Sequence, residues 1–315
     1  MENKIYDVAI LGAGPAGLTA GMYAARAKLS AVIIDKGIDG GQIAVAHEIE
    51  NYPGQAEERE SGQQLTARMA AQAKRFGCER VSDLITSCEL DGPVKTIHGA
   101  KESYRARTLI LCTGAITRKL GCKNEEKYIG RGLSYCAVCD AAFFEGLDIY
   151  SVGGSSIALE EALFLSKFGR SVTVVHKGKR LSAGRELIER AEAAGNISVL
   201  LNTEITELGG AELLSEITLK DTLTGETRTV SASPGDGLLG CFCFTGQRTT
   251  GMLDGLLEME NGYIRTDEKM ASSVPGVFAA GDVRVTPLRQ VVTACADGAI
   301  AAMQCEKYIS VNSAK

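Results

Sequence analysis

Tryptophan is absent from the 315 residues, and aromatics make up only 5%. Recognition of single-stranded nucleic acid relies on aromatic stacking platforms, so that class is disfavoured. Charge of one sign is not concentrated either: 34 basic against 39 acidic residues leave a net charge of −5, with no long run of either. Polymer phosphate needs a concentrated basic face, which argues against nucleic acid as a partner. Long apolar runs are also missing. Val8–Leu11 and Val277–Ala280 are strand-sized and flanked by glycine, too short to cross a bilayer. The start, Met1-Glu2-Asn3-Lys4, leads into a strand and lacks a signal-peptide core, so a cytoplasmic protein with no membrane partner is expected. Histidine is scarce: His47, His98 and His176 stand isolated, and each reads as a surface or packing residue.

Cysteine is plentiful, with ten. In a long chain without an export signal most are expected to be reduced thiols or small buried hydrophobes. Cys78, Cys88, Cys112, Cys122, Cys241, Cys243, Cys295 and Cys305 are assigned no role. The remaining two form Cys136-Ala137-Val138-Cys139, followed by Asp140. Two thiols at that spacing can interchange between dithiol and disulfide. Structural zinc would need four ligands, and no second CxxC or HxxxH exists, so no metal is expected and zinc is the minority reading beside a passive buried pair. Asp140 reads as a proton donor or acceptor for the second thiol, or as a turn cap.

Two strand–glycine turn–helix units stand out. In the first, the strand Tyr6–Leu11 leads to Gly12-Ala13-Gly14-Pro15-Ala16-Gly17, a small-residue helix to about Arg26, and the strand Ala31–Asp35. In the second, Leu147–Val152 leads to Gly153-Gly154-Ser155-Ser156-Ile157-Ala158, a helix to about Phe168, and the strand Ser171–His176. In that helix Ile157, Leu159, Ala162, Leu163, Leu165 and Phe168 are expected to be buried, with Glu160 and Glu161 toward solvent. Short strands are expected at Ile197–Leu201, Leu213–Leu219 and Thr227–Val230, a buried strand from Val277, and a helix from about Gln290 to Tyr308. The reading is an α/β fold of two Rossmann-like, three-layer ββα nucleotide-binding domains, the second (116–244) inserted into the first (1–115 and 245–315).

The first glycine motif has full spacing. Gly12 permits the tight turn, Gly14 lets backbone approach a pyrophosphate, and Gly17 lets helix and strand pack closely. Asp35, ending the second strand, is placed to bond a ribose hydroxyl. Position between strand and helix, with the acid at the right distance, favours a dinucleotide site over a bare structural turn.

These residues together resemble the low-molecular-weight, bacterial-type thioredoxin reductases. The matching segments are Gly12–Gly17, Gly40-Gly41-Gln42, Glu50-Asn51-Tyr52-Pro53-Gly54, Cys136–Asp140, Ala280-Gly281-Asp282 and Arg289-Gln290-Val291, in family order over nearly the whole chain. The resemblance implies FAD, held by Gly12, Gly14, Pro15, Ala16, Gly17, Asp35, Lys36, Gly41, Gln42, Asn51, Thr113, Gly114, Gly281, Asp282, Arg289, Gln290 and Val291. It implies a homodimer that reduces thioredoxin. Cys139 would face the flavin, Cys136 would attack the partner's disulfide, and Asp140 would protonate the departing thiolate.

One part of the pattern breaks. In this family the inserted domain binds NADPH through a GxGxxA turn and an HRRxxxR stretch. Here Ser155 stands where the third glycine of the turn's run is expected, and its Cβ crowds the phosphate path. The basic stretch reads His176-Lys177-Gly178-Lys179-Arg180, with Arg185 further on, and lysine does not replace a bidentate arginine. Phe242–Arg248 also lacks the proline often seen after its glycine. The pattern is similar to the ferredoxin-dependent branch, so reduced ferredoxin is the expected donor, with NADPH through Lys177, Lys179, Arg180 or Arg185 as the alternative. Two rivals differ in observable ways. A flavin-dependent dithiol oxidase would turn over small dithiols in air, and a redox-sensing module would reduce no thioredoxin with any donor.

Overall fold

The computed structural model describes residues 4–46, 49–55, 60–248 and 251–313; His47 and Met1-Glu2-Asn3 lie outside them. The chain divides into two compact units, residues 1–116 with 248–315 and residues 117–247.

The first unit begins with β1 (Ile5–Leu11), α1 (Pro15–Arg26) and β2 (Ala31–Asp35). Small residues let α1 settle on the sheet: a Cβ on Gly21 would stand 2.6 Å from Ile33 Cδ1. Then come α2 (Gly62–Arg75), β3 (Glu79–Ser82), β4 (Ile85–Glu89), β5 (Lys95–Gly99) and the long β6 (Ser103–Leu111). Helix α2 starts on a capping box, in which Ser61 Oγ accepts the Gln64 amide and the Gln64 side chain accepts the Ser61 amide.

The second unit supplies β7 (Leu133–Ser134), α3 (Ala137–Asp140), β8 (Asp148–Val152), α4 (Ser156–Leu165), β9 (Ser171–Val175), α5 (Arg185–Ala193) and β10 (Ile197–Leu200). An antiparallel trio follows, β11 (Thr203–Gly209), β12 (Glu216–Asp221) and β13 (Thr227–Ser231), then β14 (Gly240–Cys243). The chain returns to the first unit with β15 (Val277–Ala279) and α6 (Val291–Ser313).

In the first unit the parallel order is β3-β2-β1-β6-β15. Strand β6 is long enough to serve twice: Leu109–Leu111 pair with Val277–Ala279, while Ser103–Ala106 pair antiparallel with His98–Lys95. Alternate residues therefore feed two cores. Val8, Ile10, Ile33 and Ile110 lie in the core that contains the buried residues of α1, α2 and α6, and Ala9, Leu11, Val32, Ile34, Leu109 and Leu111 join Ile97 and Tyr104 on the other. Each fully buried aliphatic side chain contributes roughly 1.5–3 kcal/mol. The second unit repeats the plan with the parallel order β10-β9-β8-β14-β7 and the antiparallel trio over one face.

Several local expectations are corrected. Helix α4 ends at Leu165 rather than near Phe168, where Ser166 Oγ donates back to the Leu163 carbonyl and the Gly169 amide closes on Leu165. Ile157, expected inside, is 58% exposed because it sits in the first turn of α4. Glu161, expected in solvent, is half-buried, and burial raises its pKa. The strand expected from Leu213 starts at Glu216, because the Leu214 amide bonds the Arg131 carbonyl and its side chain enters the core. Helix α6 continues past Tyr308 to Ser313.

Candidate active site

The turn after β1 is built around glycine. Gly12 has φ +108°, and a Cβ there would stand 2.2 Å from the Cys112 carbonyl oxygen. One on Gly17 would stand 1.9 Å from the Gly12 carbonyl oxygen, so the first turn of α1 rests directly on this loop. Gly14 differs: its Cβ would find nothing nearer than the Gly40 carbonyl at 4.0 Å. It caps α1 with no side-chain hydrogen bond, and Pro15 fills the first helical position, where no donor is needed. First-turn amides have no intrahelical acceptor, so a helix start with no side-chain cap and open space over its N-cap glycine is of the kind that receives a phosphate.

Several of the other expected residues of the first unit, Asp35, Gly41, Thr113 and Gly281, lie against this turn. Asp35 accepts the Ala13 amide at 2.8 Å and the Gly37 amide at 2.8 Å, so its carboxylate ties β2 to the glycine turn. Gly41 packs against Gly14, and the Gln42 side-chain amide donates to the Ala115 carbonyl. Lys36 is exposed. Asn51 Nδ2 donates to Gln290 Oε1 at 3.0 Å, joining residues 239 positions apart. At Gly281 (φ +76°) a Cβ would stand 3.0 Å from Ala16 Cβ, and the Gly281 amide bonds Asp297 at 3.1 Å. Asp282 is half-buried; burial pushes its carboxyl up while Arg289 pulls it down. The Arg289 guanidinium lies 4.1 Å from the Tyr263 ring centroid, and Val291, buried, opens α6.

Two buried polar atoms here have no partner among the described residues, Thr113 Oγ1 and Arg289 Nε. Gly114, next to Thr113, has open space over it to 4.0 Å. Orphaned buried donors beside open glycines and an uncapped helix start fit a large phosphate-bearing cofactor. Sequence reasoning missed Arg80 on β3, which braces the loop after β2. Its Nε pairs with Asp39 at 2.7 Å, its Nη1 donates to the Asp35 carbonyl at 3.0 Å, and its Nη2 to the Gly37 carbonyl at 2.9 Å.

In the second unit, Cys136 and Cys139 form a disulfide with Cα atoms 5.3 Å apart. Cys136 is half-buried at the extended N-cap of α3, and its sulfur accepts the Cys139 amide at 3.2 Å. Cys139 is exposed. Asp140 is half-buried, and burial raises its carboxyl pKa against the opposing hydrogen bond from Ser134. Ser134, unremarked in the sequence, is the buried last residue of β7. The other eight cysteines are free. Among the described residues no group of three or more His, Cys, Asp or Glu could hold a metal ion.

The second glycine turn is differently filled. The His176 ring is wedged between two glycines: a Cβ on Gly154 would stand 2.4 Å from its Nδ1, and one on Gly178 2.6 Å from its Nε2. The Gly154 carbonyl accepts both the Ser182 amide (2.7 Å) and the Ser182 hydroxyl (3.0 Å). Ser155 caps α4, its Oγ taking the Ala158 amide at 3.3 Å. Lys177, Lys179 and Arg180 are exposed, and Arg185 pairs with Glu189 one helical turn away.

The family model for pyridine nucleotide-disulphide oxidoreductases matches residues 6–298. The chain belongs to that family. Among its relatives are the thioredoxin reductase of Peptoclostridium acidaminophilum, 46% identical over 314 residues covering 99% of each chain, and that of Bacillus subtilis, 40% identical over 312 residues covering 98% of this chain and 96% of the relative. The crystal structure of the Streptococcus pyogenes thioredoxin reductase matches with a TM-score of 0.90 at 39% identity, covering 98% of this chain and 100% of the other. Within the family, then, the chain is one of the low-molecular-weight thioredoxin reductases, which are FAD flavoproteins.

Proposed function

We propose that this enzyme reduces the disulfide of a thioredoxin through FAD and the Cys136–Cys139 pair, and that its electrons come from reduced ferredoxin rather than NADPH. The observation that carries the disulfide chemistry is a closed, accessible Cys136–Cys139 disulfide with a half-buried carboxyl beside it. FAD would be held by Gly12, Gly14, Pro15, Ala16 and Gly17 at its phosphates, with Asp35, Lys36, Gly41, Gln42, Asn51, Thr113, Gly114, Gly281, Asp282, Arg289, Gln290 and Val291 around it. When bound, it supplies the two electrons that open the disulfide, and it can collect them one at a time.

The protein side of the reaction runs on thiolates. The Cys139 amide stabilises negative charge on Cys136 sulfur, which favours the nucleophilic form. Cys136 attacks one sulfur of the thioredoxin disulfide; a mixed disulfide forms, and the other sulfur leaves and takes the proton of Asp140. Cys139 then attacks Cys136, restoring the pair and releasing the second thiol. Two thiols and one disulfide are consumed and regenerated in exchange. Exposed Val138 and Phe143 beside the pair suit a protein partner.

Support for the donor comes from the second glycine turn. Ser155 keeps one first-turn amide for itself, Ser182 closes on Gly154, and Gly178 stands against His176 where an arginine would be expected. NADPH is favoured instead by the family's description and by exposed Lys177, Lys179 and Arg180. Anaerobic reduction of the bound flavin, followed by visible absorbance, decides. Bleaching by reduced ferredoxin and not by NADPH or NADH is the expected result. Fast bleaching by NADPH overturns the donor reading and leaves an NADPH-dependent thioredoxin reductase.

A homodimer is part of the same proposal. On α6, Val292, Ala296, Ile300 and Met303 form an exposed apolar stripe at helical spacing, and Tyr23 of α1 is also exposed. The eight free thiols fit a reducing cytoplasm, and among the described residues no helix is long and apolar enough to cross a membrane.

A further inference from the structure

We infer that Ser134 is a positioning residue for Asp140, linking the acid to the backbone of the attacking cysteine. The inference rests on the proton-donor role proposed above for Asp140.

Ser134 Oγ lies 2.5 Å from Asp140 Oδ2 and 3.1 Å from the Cys136 amide nitrogen. A hydroxyl has one hydrogen and two lone pairs. The shorter contact takes the hydrogen, and a lone pair accepts the amide. The Cys136 carbonyl, at 3.3 Å, is the weaker alternative. A directed chain results, Cys136 N–H to Ser134 O–H to Asp140 carboxyl, and each bond polarises the next. Ser134 itself is held: it is buried and in register with Phe242 of β14. The link therefore fixes the carboxyl relative to Cys136 whichever way the exposed part of the site moves.

The same bond sets when the acid carries its proton. Burial favours the neutral carboxyl and the Ser134 hydroxyl favours the carboxylate, and no charged group adds to these two. On α4, which packs against α3, Glu161 is shifted by burial and by Glu160. The thiols of Cys136 and Cys139 titrate beside Asp140 once the pair is reduced. In the step itself, Asp140 gives its proton to the leaving sulfur, the carboxylate left behind keeps the Ser134 hydrogen bond, and solvent later returns the proton.

The test is a single turnover, independent of the natural donor. Enzyme reduced in advance with dithiothreitol and freed of it is mixed with oxidised thioredoxin across the pH range. Ser134→Ala is expected to slow the reaction about tenfold, the loss of one hydrogen bond to a charged group. Because the carboxylate form loses its donor, the Asp140 pKa rises further, so the alkaline limb of the profile moves to higher pH. Ser134→Thr is expected to restore both rate and limb. In an Asp140→Asn background, Ser134→Ala should cost nothing more. A limb that stays in place, or the same tenfold loss in the Asp140→Asn background, overturns the inference. Wild-type rate and profile in Asp140→Asn alone would instead remove the acid role, and the inference with it. Circular dichroism melts and flavin content of each variant establish that folding is intact, and Ser134→Gly, which also removes the hydroxyl, carries the same pH test should Ser134→Ala fail to fold.

Discussion

Cys136 and Cys139 sit three residues apart but in different surroundings. The first is half-buried at the N-cap of a short helix and receives a backbone amide; the second is exposed, the third residue of that helix. That asymmetry suits one attacking and one resolving sulfur. Cys139→Ser should leave FAD bound, since every residue expected to hold FAD lies in the first unit, and should lower thioredoxin reduction about a thousandfold or more. The flavin spectrum and a thioredoxin reduction assay check it; substantial residual reduction would show that the pair is not the redox centre. The remaining cysteines are poorly placed for such chemistry. Burial pushes the thiols of Cys78, Cys122 and Cys305 up to about 12 and Cys88 to about 11, so they stay protonated and unreactive near neutrality.

The elements proposed to hold FAD are of two kinds. Strand β1, α1 and β2 follow from local pattern: a buried strand, three glycines at fixed spacing, a proline at the first helical position and an acid at the next strand's end. The loop after β2 does not. Gly37 and Asp39 are fixed by Arg80, which arrives from β3 through the parallel pairing of Ile33 with Arg80. Removing that brace should let the loop carrying Gly41 and Gln42 open. Arg80→Ala is expected to weaken FAD binding to the apoprotein about tenfold, read by fluorescence titration, with Arg80→Lys falling between because lysine cannot reach three acceptors at once. Unchanged affinity in Arg80→Ala would mean that the loop holds its shape unaided. The second glycine turn makes a related point. Its departure at Ser155 is visible in the residues, but the wedging of His176 and the closure by Ser182 are not.

The two units each bury a parallel sheet on both faces, so each has a core of its own. The apolar stripe of α6 is left over, since Ile300 and Met303 remain 38% exposed. The double substitution Ile300→Glu with Met303→Glu should therefore leave the fold intact and give a monomer in sedimentation velocity at micromolar concentration, because charge is excluded from such interfaces. A dimer that survives the substitutions would place the subunit contact elsewhere.

Features bound to short spacing are legible in the residues alone. The glycine turn, the CxxC with its acid and the two βαβ openings all follow from local rules, because tight turns, helix starts and small redox rings constrain residues a few positions apart. Pattern misleads where tertiary packing overrides it: Ile157 faces solvent at a helix start, and Leu214 leaves an expected strand to fill the core. The linked groups are out of its reach for a related reason. Asn51 meets Gln290 across 239 residues, Arg80 reaches the β2 loop by strand register, and Ser134 reaches Asp140 only because the chain turns sharply from β7 into α3. Such pairings are decided by the path the folded chain takes, by strand register for Arg80, by loops brought together for Asn51 and by a sharp turn for Ser134.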